Sequence, residues 1–471
     1  MAHGHGASDR LLGDPRALLA AAALSCVVAL YNGFPLTYPD TGNYLDNAID
    51  LLHGDRAWFF FRPPTYGGFL VPFANSLTLW LLPAAQGLLV AGVVDTALRS
   101  AGIRLSGRTL VGIFALLCAA SSLPWFSGQI MPDVFTPIVI LLSFVVVWAP
   151  VTRTLWPALL LLALAIATHL SHFPLAAALV VSGLGLRLAL EPGVRGRRTV
   201  TRLAFRAVGP LAIALALVVA PNYLLYGRLV LSRSSSIFAL AHLVGEGAAQ
   251  RYLEQACAVR PYRLCAERGA LPPDLDWFLW SASGPRARSE PEMARGDSTF
   301  LREAPLIVAG TLRQEWPAIL GSSIRDGGRQ LVTFGLHPRE HSYSASVARS
   351  MPRLGPGIAD AYRESRQAND ALPVVAASRV HYVVVVAATL ALLWCVPRLR
   401  GPRYGSFRLL VATTAIGLLT NAFVVASLAT VHQRYQARVV WLVVLLGAVA
   451  VHQCVTDRRT GASPAGGWPR R

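Results

Sequence analysis

The sequence is poor in charge and contains no lysine. Charged residues make up 14% of its 471 positions, every basic side chain apart from histidine is an arginine, and the formal net charge is +18. A nucleic-acid-binding protein concentrates such charge on one face of a soluble module, whereas these arginines lie mostly in short stretches between apolar runs. The composition therefore predicts no nucleic-acid partner, and we interpret the missing lysine as compositional bias.

Motifs for metals and nucleotides are also missing. The sequence has no CxxC pair and no Cys/His spacing typical of zinc. Gly183-Leu184-Gly185 lies within an apolar run, which favours close helix packing over a nucleotide-binding loop. We therefore expect no cofactor; a divalent metal stays open, without a positive indication.

Apolar residues dominate what is present. They make up 54% of the chain, and the mean hydropathy is +0.47, values typical of an α-helical multi-pass membrane protein. A membrane-spanning helix needs about 20 apolar residues. Such runs predict about ten helices, near 16–36, 76–98, 108–126, 132–150, 155–172, 173–190, 207–226, 379–397, 407–428 and 438–456.

The placement of arginine predicts the orientation of these helices. Arginines cluster within 10–16, 99–108, 187–206, 398–408 and 458–471, and Arg153 follows the fourth run. Because cytoplasmic loops of membrane proteins are rich in Lys and Arg, both termini are expected on the cytoplasmic side of a bacterial inner membrane. The outer side then receives the segments 38–66, 127–133, 168–172, 227–378 and 431–438.

Three parts of the chain follow from this topology. Residues 1–226 form a module of about seven membrane helices, with an outer loop at 37–75 that we interpret as catalytic. Residues 227–378 are the only polar stretch long enough for an extracytoplasmic domain, which we expect to be mostly helical. Residues 379–471 form a second module of about three helices.

Asp40 is the first candidate for chemistry. Pro39 precedes it, and Thr41-Gly42 follows, so the carboxylate projects from a turn. One interpretation is a general base at the membrane surface. The other is the N-cap of a helix that runs from about Thr41 to Leu52. The two interpretations are compatible.

Asp133 is the second acidic candidate, at the outer start of the fourth apolar run. An acidic residue at a helix N-terminus is favoured by the helix dipole, which explains Asp133 without a function. Its predicted position on the same face as Asp40 favours a catalytic role as well.

Four arginines are predicted on the outer side. A guanidinium binds phosphate through two parallel hydrogen bonds, so outer arginines beside outer carboxylates suit a lipid-phosphate substrate. Salt bridges to Asp40, Asp46 or Asp133 are the alternative role for each of them. The four are Arg62, Arg233, Arg434 and Arg438.

Histidines occur at two outer positions. His169 and His172 lie three residues apart in one turn, a spacing that could bind a metal, but no third ligand is near in sequence. A polar turn or a substrate contact is the simpler interpretation. His432 and Tyr435 belong to a dense polar block that ends at Arg438, and we expect this block to bind substrate.

The six cysteines divide into two groups. Four lie in apolar runs and are expected to be inert core residues. Cys257 and Cys265 lie in one polar segment. A disulfide between them is possible if this segment is exported to an oxidising compartment.

The order of residues in the first outer loop resembles the GT-C superfamily of membrane glycosyltransferases, which includes protein O-mannosyltransferases and aminoarabinose transferases. The chain departs from many members at Thr41, where they carry a second acidic residue, and this departure weakens a metal role. The residues that carry the resemblance are Asp40, Tyr44, Ala48, Gly54, Arg62, Pro63, Pro64 and Tyr66, followed by Pro132-Asp133 and the block at His432–Tyr435.

The resemblance implies an inverting transfer of a sugar from a polyprenyl-phosphate donor to a lipid, glycan or protein acceptor of the cell envelope. Asp40 would deprotonate the acceptor, and Arg62, Arg434 or Arg438 would stabilise the leaving phosphate. Tyr44 and Tyr66 would line the substrate site. Membrane lipids are the remaining expected partners.

Other classes of function stay open. A secondary transporter would carry ionisable groups near the bilayer midplane, on symmetric broken helices, whereas these lie at predicted helix ends. A lipid-linked glycan ligase or polymerase would depend on the polar block at 432–438 rather than on Asp40. A non-enzymatic scaffold would make no single outer polar residue essential.

Overall fold

A computed structural model describes residues 13–54, 62–150, 155–191, 193, 196–294 and 298–459. Within these ranges the regular structure is helical, with one isolated parallel bridge between Leu36 and Gln129. The helices of the first half are α1 Pro15–Ser25, α2 Val27–Asn32, α3 Thr41–His53, α4 Pro64–Leu70, α5 Leu81–Ser100, α6 Gly107–Ala120, α7 Leu123–Ser127, α8 Phe135–Trp148, α9 Leu155–Ala167, α10 His172–Leu190 and α11 Arg197–Tyr226.

The helices of the second half include several short ones before the last three long ones. They are α12 Ser235–Gly245, α13 Ala248–Ala256, α14 Leu275–Trp280, α15 Pro285–Ala294, α16 Thr299–Gln314, α17 Trp316–Val332, α18 Ala345–Ser350, α19 Ile358–Glu364, α20 Val374–Cys395, α21 Gly405–Leu428 and α22 Gln433–Arg459.

Seven helical segments among the described residues are long and apolar enough to cross a membrane. They coincide with seven of the predicted runs; the runs at 108–126, 132–150 and 155–172 fall on shorter apolar helices, so the number of ten stays a prediction. The seven are Pro15–Asn32, Leu81–Ser100, His172–Leu190, Arg198–Leu225, Val374–Cys395, Pro402–Leu428 and Gln433–Arg459.

Helix α8 lies at the centre of the main core. All of its residues from Phe135 to Val147 are buried, because its sequence is apolar on every face and a helix of this kind needs neighbours on all sides. Helices α5, α9, α10 and α21 supply the closest of them. The residues just before α8 are therefore held in the interior of the molecule.

The first loop folds into α3 and α4. Helix α3 begins at Thr41, as the sequence predicted, and ends at His53; the next residue, Gly54, caps it with a φ of 73° that suits glycine. Short helix α18 packs across the start of α3. The two backbones approach closely, because a Cβ at Gly42 would lie 2.8 Å from the carbonyl oxygen of Ser346.

The segment 227–378 contributes to two separate cores. Helices α12, α13, α14 and α16 surround a core of their own that includes Phe278 and Phe300. Cys257 and Cys265 form a disulfide beside it, with Cα atoms 5.7 Å apart. Helices α18 and α19 instead place Val347 and Tyr362 in the main core. The later part of the segment is therefore integrated with the first loop.

Candidate active site

Backbone hydrogen bonds join the segment before α8 to the segment before α3. The amide of Leu36 donates to the Gly128 carbonyl at 2.9 Å, and the amide of Ile130 donates to the Leu36 carbonyl at 2.8 Å. These bonds place Asp40 and Asp133, which are distant in sequence, at the same end of the helix bundle.

Asp133 is enclosed by two arginines from the first turns of α22. Arg434 binds both of its carboxylate oxygens, through a bond from Nε to Oδ1 of 3.2 Å and a second from Nη2 to Oδ2. Arg438, one turn later, donates from Nη1 to Oδ1 at 3.3 Å. All three side chains are buried. Because a lone buried charge is costly, each member of this triad depends on the others.

Further contacts fix the two arginines. The guanidinium of Arg434 lies over the ring of Tyr38, 3.5 Å from its centroid, a cation–π arrangement. Arg438 donates from Nη2 to Oδ1 of Asn421 at 3.0 Å. The Asn421 amide in turn donates to the carbonyl of Tyr435 at 2.8 Å. Helices α21 and α22 therefore hold the triad together.

Asp40 occupies the more open edge of this charged region. It stands directly before α3, but its side chain makes no capping hydrogen bond, so the N-cap interpretation is wrong in this respect. Instead Oδ1 lies 2.6 Å from Nη2 of Arg62. The exposed fraction of the Asp40 side chain is 22%, compared with 1% for Asp133.

An aromatic cluster supports Arg62. Its guanidinium lies 5.9 Å from the centroid of Tyr44, and Tyr44 meets Tyr66 edge to face with ring centroids 5.1 Å apart. The Tyr66 hydroxyl donates to Oε1 of Gln86 at 3.0 Å. The resemblance placed Tyr44 and Tyr66 in the substrate site. Both are fully buried, and Tyr44 packs against Arg62 on the inner side of the site.

Glu340 joins the charged region from the distant segment 227–378. It lies in a short 3₁₀ turn, Pro338–His341, and its Oε1 is 2.6 Å from Nε2 of His432. Gln330 holds the backbone of His432 on both sides: the His432 amide donates to Oε1 at 2.7 Å, and Nε2 donates to the His432 carbonyl at 2.8 Å. The backbone of His432 is therefore held beside Glu340.

The surroundings of this pair shift both pKa values. Burial raises the pKa of Glu340 to about 7, with Asp133 and Asp40 acting in the same direction and Arg434 and a hydrogen bond with Tyr38 opposing. Burial also lowers the pKa of His432 to about 4, helped by Arg434. Burial therefore favours the neutral form of each group, and the pair as a whole carries one proton below neutral pH.

The two histidines of the predicted outer turn differ in their contacts. His172 lies at the start of α10, where Nδ1 is 2.8 Å from the Ala165 carbonyl oxygen and Nε2 is 2.9 Å from Oγ1 of Thr136. His169 contacts Ser171 at 2.8 Å. With both ring nitrogens engaged, His172 fits the polar-turn interpretation. In the described part of the chain, no group of three or more His, Cys, Asp or Glu residues could hold a metal ion.

Two predicted residues, Tyr435 and Arg233, remain. The ring of Tyr435 faces His432, with centroids 5.7 Å apart. Arg233 lies in the connection between α11 and α12 and is half-buried; its role in binding stays a prediction.

Several residues of the site were not singled out from the sequence. They are Tyr38, Gln86, Glu340 and Asn421. Glu340 had one visible signal, since it is flanked by His337 and His341 in a segment with few other histidines. Gln86 and Asn421 are isolated polar residues within long apolar helices, which is where buried polar residues tend to be functional or structural anchors.

The chain was compared with models of protein families, with curated proteins and with solved structures, and no match was found.

Proposed function

We propose that the protein is an integral membrane glycosyltransferase that transfers a sugar from a polyprenyl-phosphate donor to an envelope acceptor. The observation that supports this function best is the position of Asp40. A partly exposed carboxylate stands at the edge of a cluster that contains three guanidiniums, Arg62, Arg434 and Arg438. A base beside several cations suits a reaction in which a hydroxyl loses a proton and a phosphate leaves.

The reaction is a single displacement. Asp40 takes the proton of the acceptor hydroxyl, the oxygen attacks the anomeric carbon, and the bond from that carbon to the phosphate oxygen breaks. The electron pair leaves with the lipid phosphate, whose charge the guanidiniums stabilise. Because one displacement occurs, the anomeric configuration inverts. Since the contact with Arg62 uses Oδ1 of Asp40, we assign the second oxygen to the acceptor.

Asp133 has a positioning role in this proposal. It is buried and bound by Arg434 and Arg438, so it orients the cations rather than meeting the acceptor. The long apolar helices and the arginine pattern support a location in the bacterial inner membrane, with this site on the extracytoplasmic side and both termini in the cytoplasm.

The test replaces Asp40 by Asn in the full-length protein. Mass spectrometry of envelope lipids, glycans and proteins would compare wild-type cells, a gene deletion, Asp40→Asn and the control Asp46→Asn. Asp46 lies on the same helix but binds Arg353 at 2.7 Å. We expect Asp40→Asn to reduce transfer by about 10²–10⁴-fold, so that it lacks the same sugar as the deletion, while Asp46→Asn retains it.

A different result would favour another class. If Asp40→Asn carries the sugar at the wild-type level and the deletion does not, Asp40 is not the base. A lipid-linked glycan ligase or polymerase would then fit better, provided that replacement of Arg434 or His432 removes the product. If all single variants retain it, a transporter or scaffold is the better interpretation.

A further inference from the structure

Glu340 and His432 have no role in the displacement described above, although the charges of Arg434, Asp133 and Asp40 act on Glu340. The carboxyl group of Glu340 is buried, and its Oε1 lies 2.6 Å from the imidazole of His432. A buried carboxyl next to the active cluster is more costly than a neutral side chain would be. The local packing alone does not require an ionisable group here.

The groups that act on this pair are those of the active cluster. Among the described residues, Tyr38, Asp40, Asp133 and Arg434 influence Glu340. Arg434 and His337 influence His432, and the ring of His337 lies 6.1 Å from that of His432. Glu340 therefore responds to the charges of both aspartates, the partly exposed Asp40 and the buried Asp133.

Charge counting shows what a proton on this pair changes. The cluster contains three arginines and, apart from Glu340, two aspartates, Asp40 and Asp133. With a proton on the pair, the formal charge of these residues is +1. Without it, the charge is zero. An anion that enters the cluster is therefore bound more tightly while the proton is bound than after the proton is lost.

We propose that the Glu340–His432 pair retains or takes up one proton when the phosphate of the donor binds, and so makes donor affinity depend on pH. This inference rests on the proposed function, because it concerns the phosphate of the same donor. The ligand chemistry is a singly charged phosphodiester attached to an isoprenoid chain.

The direction of the pH dependence follows from linkage. The pKa of Glu340 is raised to about 7, so the pair is neutral below pH 7 and negative above it. An anion nearby raises this pKa further, because it favours the protonated form. Donor affinity is therefore highest below pH 7 and falls as the pH rises, by at most tenfold per pH unit for one proton.

The experiment measures binding with a probe of constant charge. Methyl farnesyl phosphate is a phosphodiester, so its own ionisation does not change between pH 5.5 and 8.5. Its Kd is measured by calorimetry on the purified full-length protein in detergent, in two buffers with different enthalpies of ionisation. Dimethyl phosphate and farnesol, in separate arms, distinguish a free headgroup from the lipid alone.

For the wild type we expect Kd to rise by up to about tenfold from pH 6 to pH 8, with uptake of a fraction of a proton near pH 7.5. Glu340→Gln should keep the affinity of the low-pH form at every pH and take up no proton. Glu340→Asp, which retains a carboxyl, and Glu364→Gln, on the exposed side of α19, should both keep a pH dependence.

The inference is overturned if Glu340→Gln shows the same pH profile and proton uptake as the wild type, or if the wild type shows neither. If the probe binds but Glu340 does not affect its binding, the proposed function stands and only this inference fails. If the probe does not bind at any pH, the proposed function and this inference are both contradicted. If Glu340→Gln does not fold, His432→Gln provides the test. This variant removes the imidazole that lies 2.6 Å from Oε1 of Glu340, so we expect the pH at which binding weakens to shift. An unchanged pH profile contradicts the inference.

Discussion

The two aspartates at one end of the bundle make the same kind of contact in different surroundings. Asp133 is buried and bound by two arginines one turn apart on α22. Asp40 is partly exposed and contacts one arginine, Arg62, at 2.6 Å. Both aspartates therefore lie close to an arginine, but they differ in how deeply they are buried.

The difference separates a structural carboxylate from a candidate base. A carboxylate that is buried with its cations cannot change partner without leaving charges unpaired, which is costly. A carboxylate at the partly exposed edge exchanges an arginine for another ligand at a lower cost, because water reaches it. We therefore expect stability to depend on Asp133 and activity to depend on Asp40.

The largest expected effect comes from Asp133→Asn. It would leave Arg434 and Arg438 buried without a countercharge, so we expect the free energy of unfolding to fall by about 3–5 kcal/mol. Asp40→Asn should lower it by less, because the Asp40 side chain is partly exposed and water replaces part of the lost contact with Arg62. Thermal unfolding of both variants in the same detergent measures the contrast, and equal losses would remove the distinction between the two aspartates.

An intermediate effect is expected from Asn421→Ala. Asn421 accepts from Arg438 at 3.0 Å and donates to the Tyr435 carbonyl at 2.8 Å. Its loss leaves buried groups unsatisfied, which costs about 1–3 kcal/mol. Thr414→Ala, also a buried polar position on α21, is the matched control. A cost no greater than that of the control would mean that α21 does not support the triad.

The smallest effect is expected from Arg363→Ala. Arg363 contacts Asp360 at 2.8 Å, close to the distance in the Asp40–Arg62 pair, but both side chains are largely exposed. The free energy of unfolding should change by less than about 0.5 kcal/mol. A loss comparable with that of Asp133→Asn in the same thermal assay would show that contact distance, rather than burial, determines the cost.

Local sequence patterns predicted the elements well. The helix from Thr41 and the break between α9 and α10 lie where proline, glycine and polar residues interrupt apolar periodicity. Apolar runs also located the seven long helices. Three further runs gave shorter helices, because hydropathy averages over polar turns that end a helix early.

Long-range partners were less predictable. The sequence offered salt bridges as an alternative role for Arg62 and Arg434, and both are found with aspartates named beforehand. Nothing in the sequence indicated that Glu340 would contact His432. That contact depends on how the segment after α17 returns to the bundle, which tertiary packing decides and no local pattern encodes.

The pairing of Asp133 with α22 also has a consequence for biosynthesis. Arg434 follows Asp133 by 301 positions, so at about 5–20 residues per second the ribosome needs roughly 15–60 s to supply the first matching cation. During that interval the nascent chain carries an uncompensated acid at the head of its central helix. Translation that stops before α22 would leave this acid permanently unmatched, and we expect such fragments to be recognised and degraded by membrane quality-control proteases.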